Sequence, residues 1–452
     1  ASAIMTPPSG WLATRFGRKN FFMFAVAGFT VASVACAAAA SLEQMVLFRL
    51  LQGAFGAAVI PLSQSILLDI YPKERQGAAM AIWGMGIMVG PILGPTLGGW
   101  LTEAYGWRWV FLINLPIGIL AMAGLSVFLH DTRADRTLSF DWFGFATLSL
   151  AIGGLQMMLD RGEQLDWFSS AEIIVEGTIG GLSLYLFAVH ICTARNPFID
   201  PRMFLDKNFT AGLLFMFMIG MILLSTVALL TPFVQQLMNF PVMTAGMVMS
   251  PRGLGTMFAM MFVGRTINKL DARALVVAGL CFTAASLWEM TSFTPEVSQS
   301  TLVWTGVVQG LGLGLIFVPL STLAFSTLAP QYRNSATALF SLIRNIGSSI
   351  GISVVIFLLT RNMHLMHATL SESVTPFNPM LRAPDVAAIW NIATPTGLAA
   401  LDGEINRQSI SIAFVNDFKL MMFVTLAAIP LVFFLRKPRA AAAPALRAAP
   451  AD

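Results

Sequence analysis

The stretch "LQGAFGAAVIPLSQSILLDIYPKERQGAA", residues 51–79, has a second copy in the chain at residues 308–337, "VQGLGLGLIFVPLSTLAFSTLAPQYRNSAT". The matched pairs are Gln52 and Gln309, Gly53 and Gly310, Pro61 and Pro319, Ser63 and Ser321, Pro72 and Pro330, Arg75 and Arg333, and Ala78 and Ala336. The basic segment 10–19 matches 264–273 at almost the same offset. Two separate blocks with nearly one offset indicate that the chain consists of duplicated halves.

The composition places these halves in a membrane. Of 452 residues, 56% are hydrophobic and 11% are charged, whereas a soluble domain carries about 25% charged residues. Apolar segments long enough for a transmembrane helix, and too long for a barrel strand, recur along the chain. They are residues 20–40, 43–69, 77–101, 108–129, 141–160, 171–194, 209–231, 242–264, 273–292, 301–328, 334–360 and 410–435. We therefore predict an all-α multi-pass membrane protein with twelve full spans.

The repeat also predicts how these spans are grouped. The offset between the copies covers eight spans, so two helices are inserted between two six-helix bundles. Parallel repeats of this kind are a transporter architecture. Because the chain opens inside an apolar run, we expect a first helix upstream of Ala1, which brings the total to fourteen. The predicted divisions are an N-terminal bundle at 1–130, inserted helices at 131–208, a C-terminal bundle at 209–435 with an outer loop at 362–408, and a tail at 436–452.

Lys and Arg are concentrated in alternate loops. One set of loops contains Arg15, Arg18, Lys19, Arg75, Arg202, Lys207, Arg265, Lys269, Arg273, Arg333 and the basic residues of the tail. The other loops contain few, for example Arg108, Arg161 and Arg407. Because cytoplasmic loops carry the excess of Lys and Arg, the first set of loops and the C-terminus are predicted to be cytoplasmic.

Cations within the apolar spans are candidate functional residues. Arg49 lies inside a span, with Gln52, Gly53 and Gly56 on the same helical face. A charge at that depth is costly and usually faces an internal cavity or a partner, so we interpret this face as a polar stripe that lines a central cavity. An Arg that extends outward to the interface is the alternative. Arg344 also lies mid-span, and we expect it to face the same interior.

Glycines recur every four residues in "WGMGIMVGPILGPTLGGWL". They are Gly86, Gly90, Gly94 and Gly98, and Pro91 and Pro95 lie among them. Small residues at this spacing allow two helices to approach closely in lipid, and proline removes backbone donors and bends a helix. We expect this helix to be a rocking seam between bundles, with plain packing as the alternative.

Other kinds of site have little support in the sequence. There is no GxxxxGK[ST] phosphate-binding loop and no catalytic constellation of Ser, His and Asp. We therefore expect no enzyme activity, no metal or other cofactor, and no nucleic-acid partner. Asp69, Asp160, Glu172, Glu176 and Glu289 lie near span ends, so none of these is a clear proton carrier within the membrane.

Four motifs carry a family resemblance that covers essentially the whole chain. "GWLATRFGRK" is similar to the loop between helices 2 and 3 of the major facilitator superfamily, with Thr14 where that motif usually has an acidic residue. "LFRLLQGAFGAA" resembles its helix-4 motif, and the glycine helix resembles its antiporter motif. "GWRWVFLINLPIG", residues 106–118, resembles a segment specific to the fourteen-helix drug:proton antiporters of the EmrB/QacA type.

The resemblance implies a secondary exporter in the inner membrane that moves lipophilic or cationic drugs outward and protons inward, with the proton gradient as its energy source. It implies a gating loop made of Gly10, Arg15, Gly17, Arg18 and Lys19, and a substrate and proton pathway along Arg49, Gln52, Asn114, Gln309 and Arg344. It further implies a proton-binding carboxylate in the first helix, and a periplasmic adaptor and an outer-membrane channel as partners. A membrane-embedded sensor or structural subunit without transport is the alternative.

Overall fold

The computed structural model describes residues 2–130, 139–195, 197–267, 269–375, 377–387 and 389–435. Regular structure in these ranges is helical, without strands. The α-helices are α1 (Ser2–Met5), α2 (Pro8–Phe16), α3 (Arg18–Ala38), α4 (Leu42–Gly56), α5 (Val59–Ile70), α6 (Lys73–Tyr105), α7 (Trp109–Leu112), α8 (Asn114–Phe128), α9 (Trp142–Arg161), α10 (Ala171–Thr193), α11 (Lys207–Pro232), α12 (Val242–Met249), α13 (Pro251–Thr266), α14 (Ala272–Met290), α15 (Gln299–Ser326), α16 (Arg333–Ser371), α17 (Pro384–Ala387) and α18 (Pro395–Ala428).

Eleven helical segments in the described ranges are long and apolar enough to cross a membrane. They confirm the all-α membrane fold and correspond to eleven of the twelve predicted spans. The remaining predicted span, 242–264, is helical in two pieces, because α12 ends at Met249 and α13 begins at Pro251. Proline suits the first position of a helix and has no N–H to continue the preceding one, so the break falls where the sequence has Pro251.

The predicted outer loop at 362–408 is largely helical at both ends. Helix α16 continues to Ser371 and α18 already begins at Pro395. Thr394 caps α18, since its hydroxyl accepts a hydrogen bond from the Gly397 N–H at 3.2 Å. The apolar pattern ends where a helix leaves the membrane, whereas the helix itself continues with polar residues; hydropathy therefore made the predicted loop too long at both ends.

Each half has its own packing, and the halves meet along α6. In the N-terminal half, α3 packs against α4, α7 and α8; in the C-terminal half, α11 packs against α16 and α15. Between the halves, α6 lies along α13. The largest fully buried side chains include Phe209, Phe215 and Phe340, all in the C-terminal half.

The inserted helices form a close pair beside the C-terminal half. A Cβ added at Gly154 would lie 2.8 Å from the Glu176 carbonyl oxygen, so α9 and α10 touch backbone to backbone. The Ser353 hydroxyl of α16 donates to the Leu159 carbonyl at 2.9 Å. Residues 131–138, which open the predicted insertion, and the predicted tail at 436–452 lie outside the described residues.

Candidate functional site

A connected polar group lies among the helices of the N-terminal half. Arg49 and Gln52 are one turn apart on α4, and the Arg49 guanidinium donates to Gln52 Oε1 at 3.2 Å. The Gln52 amide donates to the Ser33 hydroxyl of α3, and the Asn114 amide at the start of α8 donates to the same hydroxyl at 3.0 Å. Three elements therefore bring together Arg49, Gln52 and Asn114, three of the five predicted pathway residues.

This group borders a cavity of about 490 Å³. The Arg49 guanidinium also lies over the ring of Phe111, 4.6 Å from its centroid, a cation–π geometry. The cavity is lined by Ser2, Phe29, Arg49, Gln52, Gly53, Gly56, Val110, Phe111 and Asn114. Its wall combines aromatic rings with a few polar groups, as small-molecule sites do.

Gln309 belongs to a second polar group, in the C-terminal half. Its side chain is fully buried, and its amide donates to the Thr226 hydroxyl of α11 at 3.4 Å. Arg252 of α13 reaches the same helix, where Nη2 donates to the Leu223 carbonyl at 3.2 Å. Gln309 Oε1 and Arg252 Nη1 are buried without hydrogen-bond partners in the described structure. This group therefore contains one acceptor and one donor that are not satisfied there.

Arg344 lies at the contact between α16 and α11. The Ser348 hydroxyl donates to the carbonyls of Arg344 at 2.9 Å and Gly220 at 3.1 Å. A Cβ added at Gly220 would lie 2.1 Å from the Arg344 carbonyl oxygen. The five predicted pathway residues thus fall into separate places, with Arg49, Gln52 and Asn114 in one half and Gln309 and Arg344 in the other.

The glycine face of α6 does not make the close helix contact that its spacing suggests. No described atom lies within 4 Å of a Cβ added at Gly86, Gly90, Gly94 or Gly98. Helix α6 runs unbroken through both of its prolines. The seam with the other half uses a different face, where Gly77 meets Ile267 and Gly84 meets Met260.

The two halves are joined at one end by a group that we call the latch: Thr14, Arg18, Ser65, Asp69, Arg333 and Asn334. Asp69 of α5 accepts hydrogen bonds from Arg18 and, at 2.5 Å, from Arg333 of α16. Ser65 donates to the Asn334 side-chain oxygen. The Asn334 amide donates to the Thr14 hydroxyl at 3.2 Å. Asp69 supplies the negative charge that Thr14 does not, a role that the sequence did not reveal.

The predicted gating loop lies at the latch. A Cβ added at Gly10 would lie 3.0 Å from the Asn334 carbonyl, so this position brings α2 close to α16. Gly17 has a φ of 85°, which suits glycine at the junction of α2 and α3. Lys19 donates to the Ser126 carbonyl at 2.8 Å, and Arg15 lies 5.2 Å from the ring centroid of Trp11. The five predicted residues are therefore near one another at one end of the molecule.

Comparison with known proteins agrees with this two-half helical arrangement. The model of the Major Facilitator Superfamily matches residues 1–352. The chain belongs to this superfamily. It is 33% identical over 447 residues to the multidrug export protein EmrB of Escherichia coli K12, with 97% of this chain and 86% of the relative covered. It is 34% identical over 442 residues to the fatty acid resistance protein FarB of Neisseria gonorrhoeae, covering 97% and 87%. The resemblance to EmrB-type exporters is thus confirmed.

Solved structures of other superfamily members share the fold. The human organic anion transporter MFSD10 aligns with a TM-score of 0.57 at 14% identity, covering 94% of this chain and 80% of that protein. A bacterial homologue of the human lysosomal transporter Spinster, in an inward-facing and occupied conformation, aligns with a TM-score of 0.52 at 19% identity, covering 97% and 91%. These likenesses concern the fold, and they agree with the membership that the family model and the relatives show.

One buried charge in this superfamily member escaped the sequence analysis. Asp417 of α18 is 1% exposed, and neither carboxylate oxygen has a hydrogen-bond partner in the described part of the chain. The acidic residues considered above as proton carriers lie near span ends, and Asp417 is not among them. An ionisable residue inside an apolar span is a functional candidate by default, so its position in "AFVNDFKLMMF" was the available signal.

Proposed function

We propose that the chain is a proton-driven exporter of amphipathic toxic compounds, a multidrug efflux permease of the cytoplasmic membrane. The observation that carries this proposal is the cavity lined by Arg49, Gln52 and Asn114 beside Phe29 and Phe111. Such a wall accepts an apolar body and orients a polar end. The names of the relatives, multidrug export protein and fatty acid resistance protein, support substrates of this kind.

Alternating access requires an end that closes and reopens, and the latch has the geometry for the closed state. Its ion pairs link Asp69 and Arg333, which are 264 residues apart in the chain. The bias of Lys and Arg supports a cytoplasmic location for the latch and the C-terminus. The cavity is then closed toward the cytoplasm, and release of the latch opens it to that side for substrate loading.

Efflux from cells tests the proposed function. In a host without its own pumps, cells that contain the protein should export a fluorescent lipophilic cation faster than cells without it. An uncoupler should stop this export while cellular ATP remains high, since the proton gradient is the proposed energy source. Export that survives the uncoupler and stops on ATP depletion would contradict proton coupling, and absence of export for every compound tested would support the transport-inactive alternative.

Reporter fusions test the proposed orientation. A reporter that is active only in the cytoplasm should function when fused after Arg333 at the latch, and it should fail when fused after Glu296 at the opposite end. The reverse pattern would overturn the orientation without affecting the fold. The proposed assembly with a periplasmic adaptor and an outer-membrane channel is tested separately, by co-purification of the protein from cells that produce all three.

The latch should control opening. Asp69→Asn removes the negative charge between Arg18 and Arg333, so we expect faster labelling of a cysteine introduced at Ser65 by a membrane-permeant thiol reagent. Glu103→Gln, an exposed change at the other end of α6, is the matched control and should leave the labelling rate unchanged. Equal labelling in the parent and in Asp69→Asn would show that these ion pairs do not hold the end closed.

A further inference from the structure

Among the acidic residues whose exposure the structure describes, Asp417 alone is buried. We propose that Asp417 is a proton-binding site of the C-terminal half, which takes up the coupling proton from the outer side. The proposal rests on the proposed proton-driven export. It deepens that function by assigning the proton to a residue within the chain, whereas the family resemblance implies a carboxylate in a helix upstream of Ala1.

The surroundings of Asp417 favour its neutral form. Its neighbours on α18, Phe414 and Phe418, belong to an aromatic cluster in which Phe233 lies 5.4 Å from Phe414 and Phe293 lies 6.3 Å from Phe418 between ring centroids. An ionised carboxylate among such rings loses its hydration without compensation, whereas a carboxylic acid loses far less. A proton on Asp417 therefore removes most of the cost of its burial.

In the part of the chain that the structure describes, no opposite charge replaces that proton. Asn362 of α16 is the polar side chain beside the carboxyl group, and among the described residues neither carboxylate oxygen accepts a hydrogen bond of normal geometry. Helix α18 packs against α16, α14, α11 and the segments Phe233–Leu237 and Pro430–Phe434. The ionisable residues on these elements and on α18 itself are Arg333, Arg344, Arg361, His364, His367, Arg273, Cys281, Glu289, Lys207, Asp402, Glu404, Arg407 and Lys419. Among described residues, none of them forms an ion pair with Asp417.

A small cavity lies one turn of α18 away from Asp417. A cavity of about 160 Å³ lies among α11, α16 and α18, and its wall includes Gln236, Thr360 and Phe414. Phe414 is three residues from Asp417, on the same face of α18. Beside the cavity, α11 ends at Pro232 and continues as a π-helical turn, Phe233–Leu237. π-helical turns are frequent at functional sites. This turn is therefore where we expect the helices to separate when the outer end opens.

The proposed step conserves atoms and charge. A proton from the outer solution binds one Oδ of the Asp417 carboxylate and forms the neutral carboxylic acid. After the transporter opens to the cytoplasm, the same O–H bond breaks, the proton leaves to that side, and the carboxylate remains. No oxidant, reductant or further reactant is involved. Because an ionised carboxylate is costly when buried, water must reach Asp417 in the inward-open state. The proton then leaves to the cytoplasm, and the cycle moves protons inward.

Asp417→Asn tests the site, because an amide of similar size cannot take up or release this proton. In proteoliposomes, we expect wild-type protein to move a lipophilic cation in response to an imposed pH gradient, and Asp417→Asn to fall to the level of protein-free vesicles. Exchange of labelled for unlabelled substrate without a gradient should persist in Asp417→Asn. Asp402→Asn, whose parent carboxylate is 70% exposed, is the control and should retain gradient-driven transport.

Infrared spectroscopy of the purified protein measures the proton directly. The wild type should show a protonated-carboxyl band that titrates with pH and shifts in Asp417→Glu; this readout remains if Asp417→Asn fails to accumulate. Gradient-driven transport by Asp417→Asn at the wild-type rate, or a wild-type spectrum without such a band, would overturn the assignment. A wild type that ignores the proton gradient but shows the titrating band would instead refute proton-driven export.

Discussion

The corresponding helices of the two halves, α6 and α16, carry similar small residues but pack differently. On α16, a Cβ added at Gly347 would lie 2.2 Å from the Phe217 carbonyl oxygen, and one at Gly351 would lie 2.5 Å from the Ser225 hydroxyl oxygen. On α6, Gly86 and Gly90 have no described atom within 4 Å of an added Cβ. Both copies of the repeat therefore carry small residues that would allow close helix packing. Only α16 has a described helix, α11, packed against them.

The seam between the halves supports the same conclusion. A Cβ added at Gly253 of α13 would lie 2.2 Å from Ile92, and one at Gly264 would lie 2.8 Å from Ala81, both on α6. These contacts use a face of α6 other than its glycine face. A regular glycine spacing thus marks where a helix could dock, and the residues at an actual contact can lie on another side of the same helix.

The largest expected effect separates the two glycine faces. Gly347→Leu should destabilise the protein by ~3 kcal/mol or more, because the side chain would collide with the backbone of α11. Gly86→Leu places the same side chain on the open face of α6 and should cost far less. Thermal unfolding of the purified variants in detergent measures both. Equal destabilisation would show that a segment outside the described residues covers the α6 face.

A smaller effect is expected at the polar cavity of the N-terminal half. Arg49→Ala removes the guanidinium that contacts both Gln52 and Phe111, so efflux should fall about tenfold or more, as expected for a lost charged hydrogen bond. The amount of protein in the membrane should remain near normal. Arg108→Ala is the matched control, since Arg108 lies 4.6 Å from the ring centroid of Trp107, away from the cavity.

The outcome at Arg49 has two informative alternatives. Parallel loss of protein and efflux would assign Arg49 a role in folding. Unchanged efflux would place the residue outside the substrate pathway, as expected if its side chain simply extends to the interface.

The smallest expected effect compares hydroxyl acceptors in the two halves. Ser33 accepts from both Gln52 and Asn114, so Ser33→Ala leaves two donors without a partner and should destabilise by ~1–2 kcal/mol. Thr226 accepts from Gln309 alone, at 3.4 Å, and Thr226→Val should cost about 0.6 kcal/mol, typical of a single bond in a membrane protein. Thermal unfolding in detergent measures the destabilisation by each variant. A larger destabilisation by Thr226→Val than by Ser33→Ala would contradict the expected order.

Part of the candidate site was predictable because it is local. Arg49 and Gln52 share one face of one helix, and helical periodicity alone places them together. Asn114 joins them through the Ser33 hydroxyl. The sequence does not predict this link, because it depends on how α3, α4 and α8 pack together. Asp417 lies inside the predicted span 410–435, so its position was a signal that could have been used, whereas its burial without a described hydrogen-bond partner depends on the neighbouring helices.

The sequence by itself determined that the chain is helical, crosses a membrane many times and consists of two related halves. These properties follow from composition, apolar length and internal repetition, which are read along the chain. Tertiary structure decided that Asp69 pairs with Arg333, that α6 meets α13 by a face other than its glycine face, and that Asp417 is buried without an ion-pair partner among the described residues. Such contacts join residues distant in sequence, and their energies depend on which neighbours exclude water, so only the packed fold reveals them.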